Sequence, residues 1–444
     1  MIRERLGKPE FNPGSVYQLR AVLFEEWGLI PPLDAEDRLT PGGDPSTADL
    51  VLRSLLADRS VPETIRYTIK LVRYYRKVQK VLGTYVVKLR PWNFTIDDHL
   101  GWDDDDDWVE KETRKRYGLA KTGIVDPRTG RMHPGYNAHV AVTGRLSSSK
   151  PINAQNFPKV MRGMVVAAPG NILVGADMDQ LELRIAAARW GVELYLAAFR
   201  EGKDPHSMTA FAVFGEAFLS ATGLTADQFD RPGKLVSPSY ANGKFIGTGE
   251  DMKMRNLSKA VQYASQYMAT VETVHKIICK TEVPSKAGDG TTDLPYALMP
   301  LTRVRRMRDN WLQGASQFER GWRKEIQTYR NQGYLTEDVT GRRRDFLDGE
   351  APNEIVNFPI QAGAAGLMNH ALIQLHEAIP LHRWGPGTGI INQCHDSIVV
   401  ECPERAAREV VGLLEECMNQ SHPALPGVRF TASASVGRTW KEVG

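Results

Sequence analysis

Apolar residues in the first 90 positions recur mainly at steps of three and four, the spacing that places side chains on one face of an α-helix. Leu52 and Leu55 begin one such series, and Ile65, Ile69 and Val72 begin the next, with Arg and Lys among the intervening positions. The sequence therefore predicts a mostly helical N-terminal region.

Two later segments show the pattern of buried strands. Residues 172–176 form a short apolar run that stops at Asp177, and the helix-like segment Leu181–Trp190 follows it. Near the C-terminus, two mostly apolar triplets flank a polar stretch that contains Asp396. Because short apolar runs bounded by polar turns are typical of strands, we expect a strand ending at Asp177 and a hairpin with Asp396 at its tip. The region between them, about 205–330, has a helical pattern.

The composition is that of a folded globular protein, since 42% of the 444 residues are apolar and 25% are charged. The sequence contains no run of 18 apolar residues, and charged residues stand within its first few positions, so we expect neither a membrane partner nor a signal peptide. The four cysteines show no CxxC spacing and are expected to be reduced thiols. These features favour a cytoplasmic protein.

The net charge of +3 conceals an uneven distribution. Residues 96–110 contain eight acidic residues and no Lys or Arg; without them, 45 acidic residues face 56 Lys and Arg residues, an excess of 11 positive charges. Such an excess is consistent with binding to a nucleic-acid duplex. The acidic stretch is either a solvated insertion or an interaction element that mimics nucleic-acid charge. Arginines at 303–308 and 342–344 either contact phosphates or belong to a solvated face.

Two features suggest chemistry. Asp177 and Asp396 are strand-edge carboxylates of the kind that bind a hard divalent cation, although strand-end aspartates are often turn residues. Arg255, Lys259, Tyr263 and Tyr267 are spaced four apart, which on a helix leaves two cations and two aromatic rings on one slowly rotating stripe. Cations can meet a polyphosphate and aromatic rings can stack on a base, but an amphipathic helix with buried tyrosines has the same pattern.

Taken together, these motifs resemble those of DNA polymerase family A, the family of bacterial polymerase I and phage replicative polymerases. The segments that carry the resemblance are Phe11-Asn-Pro-Gly-Ser15, Tyr75-Arg-Lys-Val-Gln-Lys80, Thr143-Gly-Arg-Leu-Ser-Ser148, Asn153-Ala-Gln-Asn156, Asp177-Met-Asp-Gln-Leu-Glu-Leu-Arg184, Arg255 to Tyr267, Gly333-Tyr334 and His395-Asp396. They cover nearly the whole chain in the family's order.

The resemblance implies an α+β right-hand polymerase fold with an antiparallel-sheet palm, helical fingers and a helical thumb. It assigns 1–90 to an N-terminally shortened thumb, 91–126 to an acidic insertion, 127–204 and 333–444 to the palm, and 205–332 to the fingers. The implied function is template-directed DNA synthesis, in which a nucleotidyltransferase adds dNTPs to the 3′ end of a primer on primer–template DNA.

Site residues follow from the same resemblance. Asp177 and Asp396 would hold two Mg²⁺ ions, and Lys259 would protonate the leaving pyrophosphate. The implied nucleotide-binding residues are Gln180, Glu182, His206, Arg255, Lys259, Tyr263 and Tyr267. The implied DNA-binding residues are Arg145, Asn357, Gln361, Gln393 and His395.

Glu182 occupies the position whose side chain excludes the ribose 2′-hydroxyl, which favours DNA synthesis over the related single-subunit RNA polymerases. A catalytically degenerate module that only binds nucleic acid is the second alternative. Tyr263 stands where the family has Phe or Tyr, and the tyrosine form accepts dideoxynucleotides. This residue and the divergent motifs suggest a phage-type enzyme, located in the cytoplasm of a bacterium or an infected host.

The sequence departs from the family pattern in several places. Ser397 replaces the usual glutamate after the second aspartate, Met268 replaces a glycine, and Asp179 replaces a common serine. Only about ten residues precede the Phe11 motif. We therefore expect no proofreading exonuclease within the chain. Either an upstream segment has been removed, or it lies on a separate exonuclease or N-terminal polymerase subunit that acts as a partner; the alternative is a freestanding minimal enzyme.

Overall fold

The computed structural model describes residues 1–33, 35–86, 89, 124–126, 128–149, 152–241, 244–284, 292–296, 299–346, 351–385 and 387–444. Nearly all of the predicted acidic insertion, 91–126, lies outside the described residues. The chain divides into two compact units. The first contains 1–135, 149–153 and 279–298, and the second contains 136–148, 154–278 and 299–444.

The first unit is mainly helical, as the sequence predicts. Its helices are Ile2–Leu6, Val16–Arg20, Ala35–Arg38, Asp49–Ala57 and Glu63–Thr84, and the π-helical turn Ala21–Glu26 continues the second of them. Leu52, Leu55 and Ile69, which the periodicity places on one face, are buried in its core. The apolar series continues to Val78 and Leu82, but these two side chains are exposed near the end of the long helix.

The Phe11 motif folds into a turn that begins a helix. The Ser15 hydroxyl accepts a hydrogen bond from the Gln18 backbone N–H at 3.3 Å and caps the helix N-terminus. The Gln18 side chain accepts from the Asn12 N–H at 2.6 Å, and the Asn12 side chain accepts from the Gly14 N–H at 3.0 Å. The polar residues of this motif therefore determine local backbone structure.

A charge network attaches segment 279–298 to the helices of the first unit. Arg73, with its side chain 8% exposed, pairs with Asp49 at 2.7 Å and with Glu282 at 2.6 Å. Burial alone would raise the pKa of Asp49, but hydrogen bonds from Arg73 and Arg53 lower it below its usual value. In the same segment, the strands Val283–Pro284 and Thr292–Asp293 pair antiparallel.

The second unit combines helices with a four-stranded sheet. Its helices are Leu181–Trp190, Glu193–Glu201, Pro205–Phe214, Glu216–Thr222, Ala226–Asp230, Glu250–Ser265, Val271–Cys279, Leu301–Gly314, Gln317–Gln332, Pro352–Ala378, Ala407–Met418 and Trp440–Val443. Short strand pairs join Gly135–Asn137 to Ser147–Ser149, Tyr240–Ala241 to Lys244–Phe245, and Tyr334–Thr336 to Arg343–Asp345. The helical pattern predicted at about 205–330 is confirmed. No described helix is long and apolar enough to cross a membrane.

The central sheet has the strand order Gly389–Cys394, Ser397–Pro403, Asn171–Met178, Ala432–Gly437, and all neighbours are antiparallel. The strand predicted at 172–176 is confirmed, but it continues through Asp177 to Met178 because strands on both sides pair with it there. The predicted hairpin is also confirmed, and its turn contains only His395 and Asp396. The sheet thus brings the two aspartates to one place.

A buried ion-pair cluster fixes the helix that follows the central strand. Arg189 donates to both carboxylate oxygens of Glu325, at 2.7 and 3.0 Å, and Trp190 Nε1 donates to the same carboxylate at 3.0 Å. Arg189 also pairs with Asp338, in the turn between two short strands. This cluster therefore joins the helices Leu181–Trp190 and Gln317–Gln332.

Candidate active site

Asp177 and Asp396 lie side by side at the end of the central sheet. Asp177 is paired with Ser397 across two antiparallel strands, and the Met178 N–H donates to the Asp396 carbonyl at 2.9 Å. The pKa of Asp177 is raised to about 6, first by partial desolvation and then by the negative charges of Asp396 and Asp179. Burial also raises the pKa of Asp396. Neighbouring carboxylates that repel each other supply the oxygen donors that a divalent cation binds.

The turn that carries Asp396 is closed by hydrogen bonds. The Ser397 hydroxyl donates to the Cys394 carbonyl at 2.9 Å, so the residue that replaces the family's glutamate stabilises the turn and supplies no third carboxylate. The Gln393 side chain donates to the His395 carbonyl at 2.6 Å, and His395 has a left-handed φ of 58°. The position of Asp396 is therefore set by its own turn.

Tyr136 and Gln155 support Gln393 from other segments. The Tyr136 hydroxyl donates to the side chain of Asn392, and the Gln393 N–H donates to that hydroxyl at 3.4 Å. Gln155 donates to the Gln393 side chain at 3.1 Å and to the Leu146 carbonyl at 2.9 Å. Sequence reasoning assigned no role to Tyr136 or Asn392, because only the folded hairpin brings them to Gln393.

Glu182 is shared by two other predicted site residues. Its carboxylate accepts a hydrogen bond from the Arg145 guanidinium and another from the Tyr267 hydroxyl. Burial, together with the Glu182 charge, raises the pKa of Tyr267 well above its usual value, so the hydroxyl remains a donor. The structure thus brings together three residues from distant parts of the sequence.

Arg145 follows a glycine whose backbone conformation disfavours larger residues. Gly144 has a φ of 76°, and a Cβ atom there would lie 2.8 Å from the Arg342 guanidinium. The Asn369 side chain donates to the Gly144 carbonyl at 3.1 Å. The Thr143-Gly-Arg signature is therefore a tight turn that directs Arg145 toward Glu182.

Arg255 is engaged by a carboxylate that sequence reasoning did not assign. Its Nε and Nη2 atoms donate to the two oxygens of Asp204 at 2.6 and 3.0 Å. The same carboxylate accepts from the Ser207 N–H at 3.1 Å and caps the helix Pro205–Phe214. Burial would raise the pKa of Asp204, but Arg255 and Ser207 outweigh it and the pKa is lowered.

His206, in the first turn of that helix, is almost completely buried. The centre of its ring lies 5.9 Å from the centre of the Tyr263 ring. Its Nδ1 atom has no hydrogen-bond partner among the described residues. The pKa of His206 is lowered to about 4, mainly by burial, with Lys259 and Arg255 adding to the effect and Asp204 opposing it. The ring is therefore neutral at neutral pH.

Lys259 lies one helical turn after Arg255. Its Nζ atom is 5.5 Å from the centre of the Tyr263 ring. Partial desolvation lowers the pKa of Lys259, and the positive charges of Arg255 and Lys159 lower it as well. Lys159, which sequence reasoning did not assign, also counteracts the raised pKa of Asp177. Lys159 therefore lies within electrostatic range of both Lys259 and Asp177.

The prediction that four residues share one helical stripe is wrong for the last of them. The helix ends at Ser265, and Tyr267 lies in the turn that follows. Met268 has a φ of 60°, and the N–H groups of Met268 and Ala269 donate to the carbonyls of Ser265 and Ala264. This is the hydrogen-bond pattern of a Schellman motif, which ends the helix and points Tyr267 to Glu182.

Three further predicted residues stand apart from these clusters. Gln180 has a left-handed φ of 46° between the central strand and the helix Leu181–Trp190. Asn357 and Gln361 lie one turn apart on the helix Pro352–Ala378, and both are half-buried. Asn357 Oδ1 is buried without a hydrogen-bond partner in the described chain.

The arginines considered for phosphate contacts differ in their surroundings. Arg343 pairs with Asp345 at 2.6 Å and Arg344 with Glu354 at 2.7 Å, which favours a solvated face of ion pairs at that hairpin. Arg303 is also exposed, on the helix Leu301–Gly314, and has no ion pair among the described residues.

Comparison with known sequences decides the family. The sequence model of DNA polymerase family A matches residues 1–442. The chain belongs to DNA polymerase family A. Among its family A relatives is the thermostable DNA polymerase I of Thermus filiformis, which is 28% identical over an alignment of 454 positions. That alignment covers 99% of this chain and 42% of the relative. DNA polymerase I of Chloroflexus aurantiacus is 28% identical and is matched over 100% of this chain and 38% of its own length. This family A chain thus spans about two fifths of these relatives.

A solved structure confirms the predicted fold. The polymerase domain of Pol1 from M. smegmatis, solved as a complex with DNA primer-template and dNTP, superposes with a TM-score of 0.67 at 22% identity. The match covers 99% of this family A chain and 63% of the other. The α+β polymerase fold expected from the sequence is therefore correct.

Proposed function

We propose that this family A chain is a DNA-directed DNA polymerase that adds dNTPs to a primer 3′ end. The observation that carries the proposal is the placement of Asp177 and Asp396 side by side and near the helix Glu250–Ser265, since burial and the charges of Glu182, Asp396 and Asp177 raise the pKa of Tyr263 on that helix. Earlier turns of the same helix carry Arg255 and Lys259, which form a cationic row. Phosphoryl transfer requires both features, because it depends on positioning and on fixed charges around the phosphates. In this proposal, 1–90 act as thumb, 127–204 and 333–444 as palm, and 205–332 as fingers.

Family A DNA polymerases are generally metal-dependent, and the residues present fit a metal. Asp177 and Asp396 offer carboxylate oxygens, and their mutual repulsion favours a cation between them. In the described part of the chain, no set of three acidic, histidine or cysteine side chains forms a metal-binding group. We assign two Mg²⁺ ions to this pair; when bound, they supply charge stabilisation and activation of the primer hydroxyl.

The cationic row binds the triphosphate of the incoming nucleotide. Arg255 and Lys259 neutralise charge that grows on the phosphates, and the lowered pKa of Lys259 suits it to donate a proton to the leaving pyrophosphate. His206 contributes a hydrogen bond as a neutral ring, since its pKa of about 4 excludes a cationic form at neutral pH. Tyr263, whose ring centre lies 5.5 Å from Lys259 Nζ, offers its partly exposed ring to the nucleotide.

The cluster around Glu182 selects and aligns the sugar and the primer end. Glu182, held by Arg145 and Tyr267, blocks the ribose 2′ position, and this speaks against the RNA polymerase alternative. Gln180 keeps the nucleotide-binding role that the family resemblance implies. Arg145, Asn357, Gln361, Gln393 and His395 bind the primer–template DNA near its end.

Primer extension tests the proposal. The wild type, with Mg²⁺, dNTPs and a primed template, should extend the primer, and Asp396→Asn should lower kcat by about 10³-fold or more because it removes one metal-binding charge. Asp230→Asn, a change at an exposed aspartate, is the matched control and should extend as the wild type does. A folded wild type that extends no primer, or an Asp396→Asn protein as active as the wild type, would contradict the proposal.

A further inference from the structure

Asp204 holds Arg255 in a two-point ion pair between segments that are 51 positions apart in sequence. Arg255 Nε donates to Oδ2 at 2.6 Å and Nη2 donates to Oδ1 at 3.0 Å. A bidentate pair of this kind fixes both the position and the plane of the guanidinium. The Nη1 group is not part of this pair and makes no hydrogen bond to the described residues.

The same carboxylate also organises the helix that carries His206. Asp204 Oδ2 accepts hydrogen bonds from the Ser207 N–H at 3.1 Å and from the Ser207 hydroxyl at 2.6 Å. These bonds begin the helix Pro205–Phe214 and fix its first turn, where the His206 ring is buried. One side chain therefore places two of the residues expected at the triphosphate.

Asp204 is also the counter-charge of the cationic row. The positive charges of Arg255 and Lys159 act on Lys259, and the Asp204 carboxylate opposes them. Asp204 is largely buried, and Arg255 stacks over the Phe245 ring at 4.9 Å, so water screens this cluster weakly. Without the carboxylate, Arg255 would move away from its neighbouring cations.

We infer that Asp204 is a positioning residue for triphosphate binding, which orients Arg255 and His206 through one carboxylate without touching the nucleotide. This inference rests on the proposed polymerase function. A second interpretation is that Asp204 competes with the triphosphate for Arg255. The two make opposite predictions, because loss of a positioning residue weakens nucleotide binding and loss of a competitor strengthens it.

Steady-state primer extension with Asp204→Asn separates these interpretations, since asparagine keeps the helix cap and loses the charge. We expect KM for dNTPs to rise about tenfold with kcat within about threefold of the wild type, because the triphosphate contact is made in the ground state as well. KM for pyrophosphate in the reverse reaction should rise in parallel, and the Kd for primer–template should stay unchanged. Asp204→Glu, which restores the charge, should recover part of the wild-type affinity.

Two comparisons exclude a merely structural role. Ser207→Ala removes a hydrogen bond from the same carboxylate but leaves the ion pair, and should keep the wild-type KM. In an Arg255→Ala background, adding Asp204→Asn should change KM by less than about threefold, because the guanidinium that the charge positions is gone and asparagine still caps the helix that carries His206. An unchanged or lower KM in Asp204→Asn would overturn the inference while wild-type extension still upheld the polymerase proposal.

Discussion

The Tyr267 hydroxyl donates a hydrogen bond to the Glu182 carboxylate across 85 positions of sequence. Arg145 donates to the same carboxylate from another direction. Glu182 is therefore held by two donors before any nucleotide binds, and its side chain is a fixed obstacle. A rigid obstacle discriminates between sugars better than a mobile one, because it cannot move aside without losing both hydrogen bonds.

Replacement of Glu182 should weaken sugar selection. We expect Glu182→Ala to raise ribonucleotide incorporation relative to dNTPs at least about tenfold, because the obstacle at the 2′ position is removed. Primer extension with matched NTP and dNTP series measures the ratio. Glu319→Ala, at an exposed position, should leave the ratio unchanged. Equal ratios in the wild type and Glu182→Ala would refute the assignment of Glu182.

Tyr263 should determine the response to dideoxynucleotides. Its side chain is 38% exposed, and its hydroxyl has no hydrogen bond within the described residues, so it is free to form the hydrogen bond that a 3′-hydroxyl would otherwise make. We expect the wild type to incorporate dideoxynucleotides readily and Tyr263→Phe to discriminate against them about tenfold or more. Chain termination at a fixed ddNTP:dNTP ratio measures the difference, and identical termination in both proteins would disprove it.

The elements that carry Asp177, Asp396 and Glu182 could be predicted from the sequence, because an apolar run of strand length precedes Asp177, apolar triplets flank the polar stretch with Asp396, and a helical pattern begins beside Glu182. The role of Asp204 could not be predicted. Its partner Arg255 is 51 positions away, and hydrophobic periodicity carries no information about which polar side chains meet. Lys159 could not be predicted for the same reason, because its charge acts on Lys259 and Asp177 through space.

The sequence pattern did not predict where the helix Glu250–Ser265 ends, because the usual stop signal is absent at that position. A helix that ends in a left-handed residue usually has glycine there, and this chain has Met268, so the ordinary stop signal is absent. The family resemblance did mark this position as a departure from glycine. The structure shows its consequence, which is a methionine at φ 60° beside Tyr267.

Met268 should therefore be a source of strain. A left-handed conformation costs a side chain with a Cβ atom about 1–2 kcal/mol, and the greater entropy of glycine in the unfolded chain offsets part of that. We expect Met268→Gly to raise the free energy of unfolding by about 0.5–1 kcal/mol in urea titrations. Ala260→Gly, within the same helix, should lower it by about 1 kcal/mol. A destabilised Met268→Gly protein would show that the methionine side chain contributes more than its backbone costs.

His206 should make stability depend on pH. Its pKa is about 4 in the folded protein, against an ordinary value of 6.5, so between these values the unfolded chain binds a proton that the folded chain does not. Stability therefore falls as pH decreases from about 6.5 to 4. Between pH 7 and pH 5, the free energy of unfolding should fall by about 2 kcal/mol less in His206→Gln than in the wild type. Urea unfolding at the two pH values measures the difference. Parallel losses in the two proteins would contradict the buried neutral ring.

Glu325 should contribute far more to stability than an exposed acidic residue with one ion pair. Its side chain is 3% exposed and accepts from Arg189 and Trp190, whereas Glu193 forms an exposed pair with Arg200. Removal of Glu325 leaves the buried Arg189 charge only partly compensated and the indole N–H unpaired, so Glu325→Ala should lower the free energy of unfolding by about 3 kcal/mol. Glu193→Ala should cost less than about 1 kcal/mol. Because Arg189 keeps its pair with Asp338, the expected loss in the free energy of unfolding is near about 3 kcal/mol and not larger. Urea titrations measure this loss. Equal losses in Glu325→Ala and Glu193→Ala would show that the cluster adds no stability.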